Sequence, residues 1–317
     1  MVTPLDMFRA LGDATRLRIV ALVRHMELSV GELAQVLGQS QPRVSRHVKI
    51  LCDAGIAARR KEGSWVFVTL GTAGRVAPLF AALDAWGQPI DEAESDAARL
   101  DAVRADRAAA AAGWFETHAG EWDAIRSLHV AESEIEAALA RALGDAPIDR
   151  LVDIGTGTGR MLELFAPRAA HAVGIDRSSE MLRLARAKLS QRGLANAELR
   201  QADFQALPLA DASSDVAILH HVLHFAQLPG VVIDEAARVL RPNGRLLIAD
   251  FAPHEREELR DRDAHARLGF SDAQMLGWFA DAGLSPMRTE TLEGGELTVK
   301  LWAARRTAAP VEKARAA

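Results

Sequence analysis

A single cysteine, Cys52, in 317 residues excludes an internal disulfide framework and any metal site built from several thiolates of one chain. A lone thiol of this kind is expected to pack as a small buried hydrophobe. Long apolar runs are missing too, since no stretch approaches the roughly 18 residues that a membrane-spanning helix needs. The opening residues MVTPLDMFRALGD lack the basic-then-apolar pattern of a secretory leader. The expected location is therefore cytoplasmic, with no membrane partner.

What is present is ordinary for globular proteins: 49% hydrophobic and 26% charged residues, which argues against wholesale disorder. The length suggests about two domains. Charge is unevenly divided. Residues 1–70 hold ten Lys and Arg against six Asp and Glu, a net of +4, which leaves −9 for the rest of a chain totalling −5. A basic first domain joined to an acidic remainder suits a DNA-binding module attached to a domain for a ligand that is not a polyanion.

Residues 5–70 read as short amphipathic helices: Leu5 to Met26, broken near Gly12 and Asp13, then Val30 to Leu37, then Pro42 to Ala54. The helical period shows in Leu17, Val20 and Ala21 and again in Val44, Val48 and Leu51. Gly38 closes the middle helix, and Ser40 with Pro42 opens the next. Two strands, Ile56 to Lys61 and Trp65 to Leu70, flank Glu-Gly-Ser as a hairpin. A further helix runs from Thr72 to Trp86. Residues 91–112, rich in Ala, Asp, Glu and Arg, are expected to form an exposed connecting helix rather than core.

From Arg150 onward, apolar runs at 151–154, 172–175, 197–201, 215–219 and 245–250 alternate with helical segments. That is the signature of a parallel sheet covered on both faces. A last strand pair, 286–292 and 296–303, is joined at Gly294-Gly295, and residues 304–317 read as a flexible tail. The predicted fold class is α/β, with an N-terminal winged helix-turn-helix domain and a C-terminal Rossmann-like domain with a mostly parallel, seven-stranded sheet.

If Val44, Val48 and Leu51 face the core, then Gln41, Arg43, Ser45, Arg46 and Lys49 share the opposite side of the third helix. These are side chains that read base edges and hold phosphates in the major groove. Arg59, Arg60 and Lys61 in the hairpin are candidates for backbone contacts. An ordinary helical pair with a solvated cationic face is the plainer alternative. The runs ALGDATRLRIV and LSVGELAQVLGQSQPRVSRHVKILCDAGIAARRKEGSWVFVTL closely resemble the ArsR family of winged-helix repressors, over residues 1–90. The resemblance implies double-stranded operator DNA as partner and a homodimer formed by the first and last helices, near Leu5 to Leu11 and Val76 to Trp86. Metal-sensing members of that family carry thiolates where this chain has Leu28-Ser29-Val30-Gly31, or His on the last helix, where residues 72–90 have none. No metal site is expected.

The segment LVDIGTGTGRML places Gly155, Gly157 and Gly159 between a strand and a helix, where the backbone must turn sharply and let a ligand approach. Asp176 ends the next strand 21 residues beyond Gly155, positioned for ribose hydroxyls. Arg160 stands where a dinucleotide site wants a small residue, and Asp153, Asp176 and Asp203 make the pocket acidic. Acidity disfavours a pyrophosphate and suits a sulfonium with an ammonium tail.

These residues resemble the Rossmann-like S-adenosylmethionine-dependent methyltransferases, especially the small-molecule type related to UbiE, over residues 114–303. The resemblance implies that Asp153, Gly155, Thr156, Gly157 and Gly159 surround the methionine moiety. By the same resemblance Asp176 holds the ribose, Arg177 and Met181 border the adenine, and Asp203 and Phe204 hold its edge. Trp114, Phe115, His118 and Trp122 resemble a flap over the cofactor. His220 joins the cofactor set, and His221 and His224 are the candidate bases, with Asp250 and His254 approaching the same crevice. Each histidine also has a plain structural reading. Both halves together resemble bacterial proteins that fuse an ArsR-type domain to such a methyltransferase.

Some acceptors are argued against. Arsenite methylation needs several thiols, cytosine C5 methylation a catalytic cysteine, and amino methylation of DNA a motif for which this chain reads Leu219-His220-His221-Val222. Two readings stay open: a repressor whose DNA affinity responds to S-adenosylmethionine or S-adenosylhomocysteine, and a small-molecule methyltransferase that autoregulates its operon. The expected division is 1–90 for DNA binding and dimerisation, 91–113 for a helical linker, 114–303 for the cofactor domain, then the tail.

Overall fold

The protein is described by a computed structural model covering residues 2–25, 27–62, 65–71, 73–86, 92, 94–103, 105, 113 and 131–307. The flap candidates Trp114, Phe115, His118 and Trp122 lie outside the described residues. So do the hairpin tip at 63–64 and the tail beyond 307. The chain divides into two compact units, Met1–Ala110 and Ala111–Ala317. No helix among the described residues is long and apolar enough to cross a membrane.

In the first unit, α1 (Pro4–Leu11) and α2 (Ala14–His25) part at Gly12 and Asp13. Next, α3 (Val30–Leu37) opens on a reciprocal cap: Ser29 Oγ accepts the Glu32 N–H, and the Ser29 N–H donates to Glu32 at 2.8 Å. At the start of α4 (Gln41–Asp53) Ser40 has the right backbone but its hydroxyl makes no capping bond, so Pro42 in the first turn carries the signal. Two strands, β2 (Ala57–Glu62) and β3 (Trp65–Leu70), pair antiparallel as the wing. The short β1 (Leu28–Ser29) joins β3 with Leu28 opposite Val68. Two residues carry no readable period, so the sequence does not reveal β1. Ile19, Leu33, Val44, Val48, Leu51 and Ile56 are fully buried between these elements, and α5 (Ala73–Trp86) follows the wing.

Residues 94–103 are helical, here α6, and the expectation of an exposed connector is corrected. Asp96, Leu100 and Val103 are each about 95% buried. Asp96 takes a two-pronged hydrogen bond from Arg18 of α2, at 2.6 and 2.7 Å, and a third from Arg99 at 2.8 Å. Arg99 also donates to the Val36 carbonyl at the end of α3, and Glu92 lies 2.8 Å from Arg18. An arginine buried in α2 needs an anion, because an unpaired buried charge is very costly. The polar composition of 91–112 hides this requirement, since the partner Arg18 is far away in sequence.

The second unit is built on one sheet, in the order β6-β5-β4-β7-β8-β10-β9. Its strands are β4 (Ile148–Ile154), β5 (Ala169–Asp176), β6 (Ala197–Gln201), β7 (Ser214–His220), β8 (Leu240–Phe251), β9 (Leu284–Leu292) and β10 (Val299–Arg306). The first five run parallel, and β10 is antiparallel to both β8 and β9. The last strand begins later than predicted and includes Ala304, Arg305 and Arg306, so the tail reading is corrected at its start. Ala304 is fully buried, which holds the strand beyond the point where polar residues begin.

Period-two alternation splits the core between the two faces. Leu151, Val216, Ile218, Leu247 and Leu301 pack on one side with α7 (Glu132–Leu143) and α8 (Arg160–Phe165). Val152, Ala217, Leu219, Ile248 and Trp302 pack on the other with α10 (Pro229–Val239) and α12 (Asp272–Asp281). Two further helices, α9 (Ser179–Gln191) and the short α11 (Glu258–Arg262), complete the unit. Strand order reverses between β4 and β7, and the crevice beyond their carboxyl ends is where such a sheet binds ligands.

The clamp on α6 yields a stability test. Asp96→Ala is expected to destabilise the first unit by about 3–5 kcal/mol by stranding Arg18, read as an earlier first transition in urea. The double change Arg18→Met with Asp96→Leu is expected to recover most of that. A shift below about 1 kcal/mol in the single variant would show that the clamp is not structural.

Candidate functional site

On α4 the buried stripe of Val44, Val48 and Leu51 leaves Gln41, Arg43, Arg46 and Lys49 exposed and Ser45 half-buried. One face is therefore core and the other carries donors and cations, the division a groove-reading helix requires. Not every expected cation is equally available. Lys49 forms a 2.7 Å pair with Asp53 one turn on. Arg60 lies 2.6 Å from Glu27 and stacks over Phe67 at 5.1 Å, whereas Lys61 is exposed. Arg59 donates to the Ser45 carbonyl at 2.9 Å and so braces the wing against α4. Cys52 is half-buried, and burial pushes its thiol pKa up.

The glycine turn lies at the carboxyl end of β4. Gly155, Gly157 and Gly159 have φ of +72°, +52° and +84°, a region that costs other residues roughly 1–2 kcal/mol. Gly155 is doubly constrained, because a Cβ there would stand 2.2 Å from Val222 Cγ2. The Gly155 and Thr156 N–H groups both donate to the Ile175 carbonyl, which pins the turn to β5. Asp153 is buried and accepts the Thr156 hydroxyl at 2.5 Å, so its carboxylate shapes the turn from inside. Arg160, at the small-residue position, is accommodated because its guanidinium turns outward to Glu136 and Glu163, at 2.6 and 2.9 Å.

Asp176 closes the cradle. Its Oδ2 accepts the Gly157 N–H and its Oδ1 the Ser178 N–H, each at 2.8 Å, while burial pushes its pKa above the ordinary carboxylate value. With the Arg177 N–H as a third donor, capacity remains for a ligand hydroxyl, since an ionised carboxylate has about four lone-pair sites. A tight glycine turn beside such a carboxylate fits the ribose and amino-acid parts of an adenosyl sulfonium. Around it, Met181 is buried, Phe204 is half-buried, and Arg177 and Asp203 are exposed. Gln201 donates to the Arg177 carbonyl at 3.0 Å, and Asp203 accepts the Gln205 N–H at 2.8 Å.

At the ends of β7 and β8 the histidines form one buried cluster. His220, whose Nε2 is 3.3 Å from Glu132 on α7, packs edge-on to His221 at 4.8 Å. His221 is 3% exposed with φ of +51°, and its N–H donates to the Ala249 carbonyl. His224, 1% exposed, has its Nδ1 in hydrogen-bond contact with Asp250 Oδ1 at 2.8 Å. Asp250 also accepts the backbone N–H groups of Leu223, His224 and Phe251, and full burial pushes its pKa up to about 6 against those donors.

Sequence reasoning missed two members of this cluster. His265 lies 4.3 Å from the His224 ring and stacks on Phe251, and Glu132 faces His220. The loop carrying His265 is laced back by Arg267 N–H to the His224 carbonyl and by Phe270 N–H to Phe251. Where it crosses, a Cβ on Gly269 would sit 2.1 Å from the Ala252 carbonyl. The one available signal was the density of His, Asp and Arg in DRDAHARLGF.

Residues 13–59 match the family model described as bacterial regulatory protein, arsR family, and residues 152–248 match the methyltransferase domain. The arsenical resistance operon repressor of Escherichia coli K12 is 44% identical over 68 residues, 21% of this chain and 58% of the repressor. An uncharacterized methyltransferase, YcgJ of Bacillus subtilis, is 31% identical over 107 residues, 33% of this chain and 42% of that protein. The chain thus spans about half the length of these curated relatives. Among solved structures, that of the [4+2]-cyclase SpnF superposes with a TM-score of 0.52 at 18% identity, covering 61% of this chain and 95% of the cyclase. That likeness speaks to fold alone.

The glycine turn gives a direct test. Gly155→Ala is expected to lower the melting temperature of the second unit through both its positive φ and the Val222 collision. Adding Val222→Ala should return only the steric share. Thermal unfolding of the two variants side by side measures it, and an unshifted Gly155→Ala would contradict the described turn.

Proposed function

Taking the chain as an arsR-family regulator region joined to a methyltransferase domain, we propose that it is a repressor-type DNA-binding regulator whose second domain binds S-adenosylmethionine or S-adenosylhomocysteine as its signal. The observation that carries the regulatory reading over a purely enzymatic one is the burial of the candidate bases. His221 and His224 are 3% and 1% exposed, and His224 is committed to Asp250. A general base needs hydrogen-bond reach to its substrate. The cradle of Gly155, Gly157 and Asp176 needs no such access to hold a nucleoside.

The partner in this reading is a double-stranded operator, met by Gln41, Arg43, Ser45, Arg46 and Lys49 of α4 with Lys61 of the wing. Two-fold DNA sites call for a dimer. Leu5 and Phe8 on α1, 55% and 57% exposed, supply apolar surface for one. A ligand shifts DNA affinity only through unequal binding to the DNA-competent and incompetent states.

The second reading is turnover of a small-molecule acceptor, with the first domain controlling its own operon. Its support is the methyltransferase domain match, together with the His224–Asp250 pair, which orients one imidazole firmly. S-adenosylmethionine supplies an electrophilic methyl on sulfur, and the chain's task is then to align a nucleophile and accept its proton.

Titration calorimetry with each nucleoside, followed by binding to a duplex selected from a random library, separates the two. Asp176→Asn is expected to weaken both nucleosides at least about tenfold through the loss of charge-assisted hydrogen bonds, and to abolish their effect on DNA affinity. Arg46→Ala should weaken DNA binding and flatten its salt dependence while sparing the nucleosides. If neither nucleoside alters DNA affinity while a metabolite pool yields a methylated product, the sensor reading falls.

A further inference from the structure

We infer that His221, His224 and Asp250 form a binding site for a first-row divalent cation of the zinc type. This site does not rest on the regulatory reading, and the sequence gives no reason to expect it. One donor atom from each residue lies within 4.8 Å of the others, and all three residues are buried. Two imidazoles and one carboxylate are a donor set suited to such ions and unsuited to calcium or magnesium, which prefer oxygen. Donors about a tetrahedral zinc stand roughly 3.4 Å apart when each is about 2.1 Å from the ion. The ion therefore takes the place of the 2.8 Å hydrogen bond between His224 Nδ1 and Asp250, and the widest donor separation closes by little more than an ångström.

The surroundings resemble the second layer of a built site more than a chance meeting of polar groups. Ligating carboxylates are held by further hydrogen bonds, and such supports set ligand orientation. Here the backbone N–H groups of Leu223, His224 and Phe251 fix Asp250 at 3.2 Å or less. Phe251 packs at 4.9 Å against both the His221 and His224 rings, which keeps them from turning away. His221 reaches the cluster only by a left-handed backbone, φ +51°, and strained residues of this kind gather at ligand sites. Three protein donors leave a fourth position for water or for His265, whose ring is 4.3 Å from that of His224.

The test uses the untagged, full-length chain, loaded with Zn2+ and dialysed against a weak chelator. The expected result is one zinc per chain by elemental mass spectrometry, an X-ray absorption spectrum with two imidazoles and an oxygen donor, and ligand-field bands on replacement with Co2+. Replacing His221 and His224 together by Ala should lower zinc affinity at least about 100-fold, whereas His171→Ala, on the exposed part of β5, should retain the ion. Circular dichroism and nucleoside calorimetry report whether the double variant folds. If it does not fold, the absorption spectrum of the wild-type chain decides. Substoichiometric zinc, fewer than two imidazoles around the ion, or a folded double variant that keeps its zinc would each overturn the site.

Discussion

The alternation of side chains along β4, β7, β8 and β10 sends successive residues into two separate apolar cores, and the rest of the second unit follows from that. A sheet covered on both faces has no wall on which polar groups can sit, so they collect where the strands end. Asp153, Asp176, His220 and Asp250 all occupy carboxyl-terminal strand positions. The burial that drives the sheet together also desolvates these groups. Asp176 and Asp250 both bind protons more tightly than an ordinary carboxylate for that reason. Core formation and site chemistry are thus one constraint seen at two ends of the same strands.

Much of this was legible in the amino-acid order. The apolar runs located β4 to β8 to within a few residues, with β8 the exception because its first half, Leu240 to Gly244, is not apolar throughout. The glycine spacing and Asp176 located the turn. What stayed hidden depends on contacts between distant segments. Arg18 and Asp96 are 78 positions apart, and His265 meets His224 only because its loop folds back across β8. Local pattern carries no information about such meetings. It also cannot say which cations are already engaged, and Arg60, held by Glu27, looks from sequence no different from Lys61.

The same fold hosts several kinds of chemistry, so the cradle identifies a class of ligand more securely than it identifies a reaction. Beyond the cradle lies a buried cluster of imidazoles and aromatic rings. An enzyme for a bulky acceptor would be expected to present its base to the crevice, yet here aromatic rings and imidazoles close over one another around Phe251.

The clamp on α6 has a consequence for where one domain ends. By composition the DNA-binding domain stops near residue 90, and cutting there would look harmless. It would remove Asp96 and leave Arg18 a bare cation inside α2, so the smallest autonomous unit must extend past Val103. Residues 94–103 are tied by Arg18 and Arg99 to α2 and to the end of α3, the two helices packed against α4.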